Sequence, residues 1–335
     1  MSADRPRGTI RATVDFAAPG RQIGTLNLPQ SEHDDAWGVV PIPVAVIAGG
    51  SGPTVLMEGG NHGDEYEGPI TLCELARTLD PGEVNGRLII LPAVNWPAVE
   101  AARRTSPIDG LNMNRCFPGD PLGSATQQIV AYVNDMLFPL ADAFLDLHSG
   151  GSSLDILPSA ILETGADDAH TARNRAAAEA FGTETVVGID NRGDPRTATA
   201  AAVRAGLTVV GTEMAGAGTV SIGALELCRQ GVRNVLAHLG VLEPGAGVPR
   251  SAPARHLALG SSAHVLSPCR GVFEPLQPLG TTVSAGTPVG RIHDLANPGR
   301  PPEEISASCD GMVFGHRHPG AVRRGNCCVV VASPA

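Results

Sequence analysis

The chain of 335 residues contains no lysine, so all 24 of its basic residues are arginines. This absence excludes Schiff-base catalysis, a phosphate-binding P-loop lysine and a biotinyl or lipoyl attachment site. Aromatic residues make up only 3% of the chain, and the formal net charge is −10. Because nucleic-acid surfaces need clustered positive charge and aromatic side chains for stacking, the composition predicts no nucleic-acid partner.

Long apolar runs are missing as well. No stretch reaches the ~18 residues that a membrane span requires, and residues 1–20 lack the apolar core of a signal peptide. The seven cysteines include no CxxC pair, so neither a disulfide framework nor a zinc knuckle is indicated. Together these features predict a cytoplasmic protein that has no membrane partner.

Short apolar runs alternate with segments of helical periodicity through the middle of the chain. Strands are predicted near 54–57, 87–92, 143–147 and 208–213, with helices between them. This alternation is typical of an α/β fold whose largely parallel sheet carries helices on both faces. The predicted division is a β-rich N-terminal segment (1–50), a catalytic domain (51–250) and a small C-terminal β domain (251–335), where short strands separated by Gly and Pro replace the helices.

A first polar cluster follows the predicted strand 54–57. His62 and Glu65 stand three residues apart on a loop that leads into a helix. Ligands of α/β proteins bind at the carboxyl ends of strands, and these two side chains can offer zinc a nitrogen and an oxygen ligand. Taken alone, the pair fits equally a His and an acid that stabilise a helix start.

A second polar cluster ends the predicted strand 143–147, where His148 follows Asp146. Catalytic zinc needs three protein ligands and one open position, and two ligands close in sequence with a distant third are a common layout. The sequence therefore predicts a Zn²⁺ ion bound by His62, Glu65 and His148. Asp146 could orient one ligand, unless its side chain points to the other face of the strand.

Two further features suit a hydrolase acting on a carboxylate substrate. Asn114 and Arg115 lie on an irregular loop, and the planar arginine fork can bind a carboxylate through two parallel hydrogen bonds. Glu213 ends a strand just before a glycine-rich stretch and is a candidate general base. Each feature also has a structural explanation: Asn114 and Arg115 could stabilise their own loop, and Glu213 could simply face solvent.

These motifs resemble the succinylglutamate desuccinylase/aspartoacylase family of zinc deacylases. The resemblance runs from about residue 49 to 240, and the β-rich tail is typical of the longer members. Residues 60–69, 104–110 and 148–151 look closest to the subgroup of Nα-acetyl-L-2,4-diaminobutyrate deacetylases of ectoine degradation. The resemblance implies a zinc-carboxypeptidase-like mixed sheet and a small-molecule N-acyl amino acid as partner. A homo-oligomer is also expected.

The family's functional residues have counterparts in this chain. The resemblance implies zinc ligands His62, Glu65 and His148, the general base Glu213, and Asn114 and Arg115 as the binding site for the substrate carboxylate. In one position the chain departs from the family. An arginine that polarises the scissile carbonyl commonly comes shortly before the Asn-Arg pair, but Pro107 and Ile108 occupy the nearer positions. Arg104, or else Arg103, is left for that role.

The implied reaction is zinc-dependent hydrolysis of the amide bond of an N-acylated amino acid, in the first place Nα-acetyl-L-2,4-diaminobutyrate. The alternatives are deacylation of succinylglutamate or acetylaspartate, and a zinc carboxypeptidase, whose peptide carboxylate would suit the same Asn-Arg pair. A binding protein that has lost the chemistry is a third class. Retention of the whole set of predicted ligands and the predicted base argues against it.

Overall fold

The computed structural model describes residues 8–32, 35–189, 194–248, 250 and 252–335. Strands dominate both ends of the chain, while helices and strands alternate in the middle. The strands are β1 Arg11–Ala12, β2 Gly20–Pro29, β3 Val39–Ala48, β4 Thr54–Gly59, β5 Arg87–Leu91, β6 Ala143–His148, β7 Leu154–Leu162, β8 Thr185–Ile189, β9 Thr208–Gly216, β10 Arg255–Leu259, β11 His264–Leu266, β12 Gly271–Pro275, β13 Thr282–Val283, β14 Pro288–His293, β15 Glu303–Ser306, β16 Gly311–Arg317, β17 Ala321–Val322 and β18 Cys327–Pro334.

The helices connect the strands of the middle region. They are α1 Glu67–Thr78, α2 Trp96–Glu100, α3 Ala125–Tyr132, α4 Asp168–Phe181, α5 Ala198–Arg204 and α6 Ile222–His238. Among the described residues, none of the helices has the length and apolar character needed to cross a bilayer.

Four neighbouring strands in the order β5-β4-β6-β9 run parallel and form the centre of a large sheet. Because parallel strands end at the same edge, their carboxyl ends bring distant parts of the chain together. The register is specific: Glu58 pairs with Asp146, and His148 pairs with Glu213. Antiparallel strands β1–β3 extend the sheet beyond β5, and β7 pairs antiparallel with β9.

Alternate residues of the central strands face two separate apolar cores. Val55 and Met57 pack in a core with α1, α4 and α6, whereas Leu56 packs in a core with α3 and α5. The period of two places successive side chains on opposite faces of the sheet, so the two cores lie on opposite faces. The predicted mixed α/β class with helices on both faces is confirmed.

The C-terminal strands continue the hydrogen-bonded ladder of the large sheet. β10 pairs with β8 and with β18, and β16 pairs with both β18 and β7. With the β7–β8 pairing, these contacts close a ring of strands in the order β7-β8-β10-β18-β16. A second sheet, in the order β15-β14-β12-β17, has its own apolar core with β18.

The interior of the ring is a shared apolar cluster. Ile156 and Val187 of the middle region pack there with Leu257 and Phe314 of the C-terminal region. The C-terminal region is therefore joined to β7 and β8 by both hydrogen bonds and packing. The division between residues 250 and 251 stays a prediction, and the nearby residues 249 and 251 lie outside the described part of the chain.

We predict that Phe314→Ala lowers the free energy of unfolding by about 3–5 kcal/mol, because it leaves a cavity in this shared cluster. Phe314 is 2% exposed. Leu266→Ala is the matched control, since Leu266 lies on β11, which like β16 pairs with β18, but is 49% exposed. Urea titration followed by circular dichroism measures both variants, and equal stabilities of the two would contradict the packing role.

Candidate active site

The loop between β4 and α1 carries the first two predicted ligands into the interior. His62 and Glu65 are each only 3% exposed. Between them, Gly63 donates its N–H to the carbonyl of Arg103 at 2.9 Å. A Cβ at Gly63 would lie 1.9 Å from the carbonyl oxygen of Ala98, so any larger residue would displace the loop. Close backbone packing therefore fixes the position of this loop.

The three predicted metal ligands come together at the carboxyl edge of the sheet. Ligand atoms of His62, Glu65 and His148 all lie within 4.8 Å of one another. His62 Nδ1 is 2.7 Å from Glu65 Oε1, and His148 Nδ1 is 2.8 Å from Glu65 Oε2. Two imidazole nitrogens and a carboxylate oxygen are a donor set that zinc prefers.

The outer hydrogen bond of His62 determines its tautomer. Asn112 Oδ1 accepts the backbone N–H of Asn114 at 3.0 Å, so this atom is the amide oxygen. His62 Nε2 lies 3.1 Å from the same oxygen and must carry the proton to bond with it. In the neutral ring, Nδ1 then presents a lone pair toward the carboxylate of Glu65. Two acceptors as close as His62 Nδ1 and Glu65 Oε1 repel each other unless a cation or a shared proton lies between them. A lone pair directed inward is also what a metal-binding histidine needs.

His148, like His62, directs one ring nitrogen toward Glu65 and the other toward a different polar side chain. Its Nδ1 faces Glu65, while its Nε2 lies 3.0 Å from Asp146 Oδ1. That contact is close enough for an ion pair but is not a hydrogen bond. Asp146 and His148 are two residues apart on β6 and so share a face of the sheet. The open question about Asp146 is thereby answered, since its side chain points toward His148.

The acidic groups at this edge perturb one another strongly. Burial by itself raises the pKa of Glu65, but His62 and His148 outweigh it and hold the pKa well below its usual range. Burial lowers the pKa of His148, whereas Asp146 and Glu65 raise it well above the ordinary value. Burial, together with the charge of Glu65, raises the pKa of Glu213 to about 8. Clustered negative charge of this kind favours a bound cation.

Glu213 lies on β9 directly beside His148 of β6 in the parallel register. Its Oε2 is buried and accepts no hydrogen bond within the described structure. Beyond Glu213 the backbone takes left-handed conformations at Ala215 and Ala217, with φ of 57° and 61°. Hydrogen bonds of 2.8–2.9 Å tie this segment to the loop that follows His148. The general-base candidate therefore lies on a braced segment next to a candidate ligand.

Arg104 is the one of the two arginine candidates whose side chain reaches the cluster. Its Nη1 lies 3.6 Å from Glu65 Oε1 and 3.4 Å from His62 Nδ1. The Arg104 side chain is 45% exposed, so it borders the site from the solvent side. Arg103 instead contributes its backbone carbonyl to Gly63.

Asn114 and Arg115 lie beside the same cluster of candidate ligands. Asn114 Oδ1 accepts the N–H of Ala198 at 2.8 Å, which turns its Nδ2 toward His148 at 3.4 Å. Arg115 Nη1 donates to the carbonyl of Asn114 at 2.5 Å, and its Nε lies 3.5 Å from Asp194 Oδ2. These contacts fix the plane of the guanidinium beside the cluster.

Three polar residues that contribute to the site escaped the sequence analysis. Asn112 orients His62 but has no motif to mark it. Asp64 Oδ2 accepts from both the backbone N–H and the hydroxyl of Ser152, at 2.8 and 2.7 Å, and so ties the loop after β4 to the loop after His148. Glu58 is fully buried at the end of β4. A charged residue in an otherwise apolar strand is a signal that could have identified it.

Comparisons with known proteins find relatives over most of the chain. The family model described as succinylglutamate desuccinylase/aspartoacylase catalytic domain matches residues 51–239. An N-alpha-acetyl-L-2,4-diaminobutyric acid deacetylase of Halomonas elongata is 41% identical over 324 residues, covering 96% of this chain and 94% of that protein.

Solved structures match over nearly the whole length. A succinylglutamate desuccinylase/aspartoacylase from Rhodobacter sphaeroides superposes with a TM-score of 0.91 at 41% identity, covering 97% of this chain and 99% of that one. The product-bound ectoine utilization protein EutE from Ruegeria pomeroyi has a TM-score of 0.93 at 39% identity, covering 98% and 100% of the two chains.

We expect the purified protein to hold about one zinc ion per chain, and His62→Ala to lose most of it, because the cluster then retains only two ligands. Atomic emission on dialysed protein measures the zinc content. His293→Ala is the control, since His293 also lies 2.7 Å from a glutamate, Glu274, but in the C-terminal region. Full zinc occupancy in His62→Ala would disprove the ligand assignment.

Proposed function

Because the chain belongs to the succinylglutamate desuccinylase/aspartoacylase family, we propose that it is a zinc-dependent amidohydrolase that cleaves N-acyl amino acids. The observation that carries this proposal is the buried cluster of His62, Glu65 and His148 beside Glu213. Its donor set suits zinc, and its surroundings supply a base and a carboxylate-binding arginine.

The substrate we propose is Nα-acetyl-L-2,4-diaminobutyrate, which would yield acetate and L-2,4-diaminobutyrate in ectoine degradation. Support comes from the Halomonas elongata relative, whose name gives this deacetylase activity, and from the structural match to an ectoine utilization protein. Both likenesses extend over more than nine-tenths of the chain.

A zinc ion held by His62, Glu65 and His148 would lower the pKa of a water molecule toward ~7 and polarise the acyl carbonyl. Positive charge nearby also favours the ionised form of Glu213, so its carboxylate can accept the proton of the attacking water. Glu213 then returns this proton to the nitrogen of the leaving amine. The Oε2 atom of Glu213, which has no hydrogen-bond partner among the described residues, is available to take the proton from water in the first step.

Two arginines have separate roles in this reaction. Arg104 borders the cluster and donates to the acyl oxygen as negative charge develops there. Arg115, with its plane fixed by Asn114 and Asp194, binds the α-carboxylate of the substrate together with the Asn114 amide. Anchoring the carboxylate places the acyl group over the metal position and lowers the entropic cost of reaction.

A second candidate is a deacylase for an amino acid with an acidic side chain, such as succinylglutamate or acetylaspartate. The observation that favours it is the positive charge of the arginines beside the cluster of candidate ligands. Arg104 and Arg115 lie beside the cluster, while Asp194, the acid next to Arg115, is bonded bidentately to Arg196 at 2.9 Å. Positive charge there suits a substrate with two or three carboxylates, whereas the diaminobutyrate substrate carries an ammonium group. Relative kcat/KM values for the three N-acyl amino acids decide between the candidates.

We predict that Glu213→Gln keeps its zinc and loses about 10²–10⁴-fold in kcat, because an amide cannot accept the proton. Acetate release and zinc content are measured on the same preparation. Glu226→Gln, a change on the exposed face of α6, is the control and should retain activity. If Glu213→Gln kept more than about a tenth of the wild-type kcat, another group would have to act as the base.

We predict that Arg115→Lys lowers kcat/KM by about 10–100-fold, because lysine keeps the charge but not the two parallel hydrogen bonds. The carboxamide of the same acyl amino acid should be a comparably poor substrate for the wild-type enzyme, and Arg115→Lys should not weaken it further. Arg291→Lys, in the C-terminal sheet, controls for the general effect of this exchange. Equal cleavage of acid and carboxamide by the wild type would contradict the anchor.

A further inference from the structure

The C-terminal region contains two copies of one strand-and-turn motif. In each copy a cysteine and one further residue precede the glycine that opens a strand, Gly271 of β12 or Gly311 of β16. Gly271 pairs with Val322 of β17, and Gly311 pairs with Val283 of β13, both in antiparallel ladders. The two copies therefore share one register, and residues at corresponding places can be compared.

The turns that follow β13 and β17 have the same backbone hydrogen bonds. Gly286 donates its N–H to the carbonyl of Ala307 at 2.9 Å, and Gly325 donates its N–H to the carbonyl of Ser267 at 2.8 Å. Both glycines take left-handed conformations, with φ of 85° and 86°. The correspondence between the two copies thus extends through their turns.

The copies differ in the group that closes the turn. After β13, Asp310 Oδ1 accepts the N–H of Ala285 at 2.8 Å. The residues at the corresponding places of the other copy are Arg270 and Arg324. An arginine side chain cannot accept a hydrogen bond, and the N–H of Arg324 has no partner among the described residues. The second copy therefore keeps the donor of this hydrogen bond and lacks the carboxylate.

Positive charge gathers where the carboxylate is missing. The antiparallel register of β12 and β17 brings Arg270 opposite Arg323, and like charges so placed repel each other. Arg317 is held nearby, because its Nε and Nη2 donate to the carbonyl of Ala321 at 3.1 and 3.0 Å. All three arginines line one open cleft of about 1020 Å³.

The acid at this cleft is already engaged. Asp294 Oδ1 accepts the N–H of Ala296 at 3.1 Å, and Asp294 Oδ2 lies 3.7 Å from Arg300. Among the described residues, no carboxylate forms an ion pair with any of the three cleft arginines. In a chain whose formal net charge is −10, this local excess of positive charge attracts anions.

We propose that the cleft binds a small aliphatic anion whose carboxylate or phosphate group takes the place that the Asp310 carboxylate has in the other copy. The guanidinium groups of Arg270 and Arg323 hold its oxygens, and the N–H of Arg324 donates to it. Guanidinium groups bind both kinds of oxyanion through paired hydrogen bonds. A bound anion also removes the repulsion between the two facing arginines.

The lining of the cleft indicates the rest of the ligand. No Phe, Tyr or Trp lines it, so it offers no stacking surface for a nucleobase. Val272 and Leu295 instead present aliphatic surface beside the arginines. The volume admits an organic molecule rather than a bare ion alone. None of the cleft residues belongs to the candidate active site, so anion binding here does not depend on the proposed function.

The test is isothermal titration calorimetry of the zinc-loaded full chain with two probes, tricarballylate and inorganic phosphate, at constant ionic strength. The wild type should bind at least one probe saturably, and the better probe identifies the ligand group as carboxylate or phosphate. Arg270→Asp should weaken that binding about 10–100-fold, because it removes a charged donor and installs the carboxylate of the other copy. Arg323→Gln should also weaken it, since it removes a second charged donor.

Thermal unfolding gives a second readout, one that simple removal of positive charge would not produce. Without added anion, Arg270→Asp should raise the melting temperature, because its carboxylate can accept the N–H of Arg324 and attracts Arg323. The bound probe should raise the melting temperature of the wild type but not that of Arg270→Asp. Arg291→Gln is the matched control and should bind the probe as the wild type does, since Arg291 lies on the same sheet, 3.7 Å from Glu304, and does not line the cleft.

Three results would overturn the proposal. They are no saturable binding of either probe by the wild type up to about 10 mM, equal binding by the wild type and Arg270→Asp, and a loss of binding in Arg115→Lys that Arg270→Asp does not share. The last result would place the anion at the candidate active site. A chain that binds the probe through Arg270 but holds no zinc would overturn the proposed function alone. Should Arg270→Asp not fold, Arg323→Gln replaces it in each binding comparison.

Discussion

The arrangement at the sheet edge depends on one buried carboxylate, Glu65, which two imidazole rings face through their Nδ1 atoms. At His62 this sets an acceptor against an acceptor, which is unfavourable in a low-dielectric interior and which a cation turns into an attraction. Asn112 holds the proton of His62 on Nε2, and Asp146 Oδ1 lies 3.0 Å from Nε2 of His148. A cation held among the three candidate ligands would therefore stabilise this arrangement.

The backbone around this cluster is held by packing and hydrogen bonds rather than by chain continuity. Asp64 joins the loop after β4 to the loop after β6, and the latter is hydrogen-bonded to the segment after β9. Glu67 accepts the N–H of Ser221 at 2.9 Å, which connects the start of α1 to the start of α6. Residues that are far apart in sequence are thus kept at fixed spacing, as hydrolysis through a positioned base requires.

The meeting of the three candidate ligands could be predicted from sequence because each signal was local. His62, Glu65 and His148 follow apolar runs short enough to be buried strands, and strand ends of one parallel sheet meet at one edge. Asn112 and Glu58 act through contacts across loops or strands, which no spacing rule encodes. Strand β7 was not predicted either, because Ser159 and Pro158 interrupt its apolar pattern; its partners in space make it a strand.

The closed ring of strands has a consequence for the order in which the chain folds. β7 and β8 can pair soon after synthesis, but β8 gains its second neighbour only when β10 arrives, and β7 gains β16 later still. Until then the outer edge of β8 presents unpaired backbone groups, a template for pairing with another chain. Docking of the last strands therefore covers an edge that would otherwise stay open to pairing with other chains.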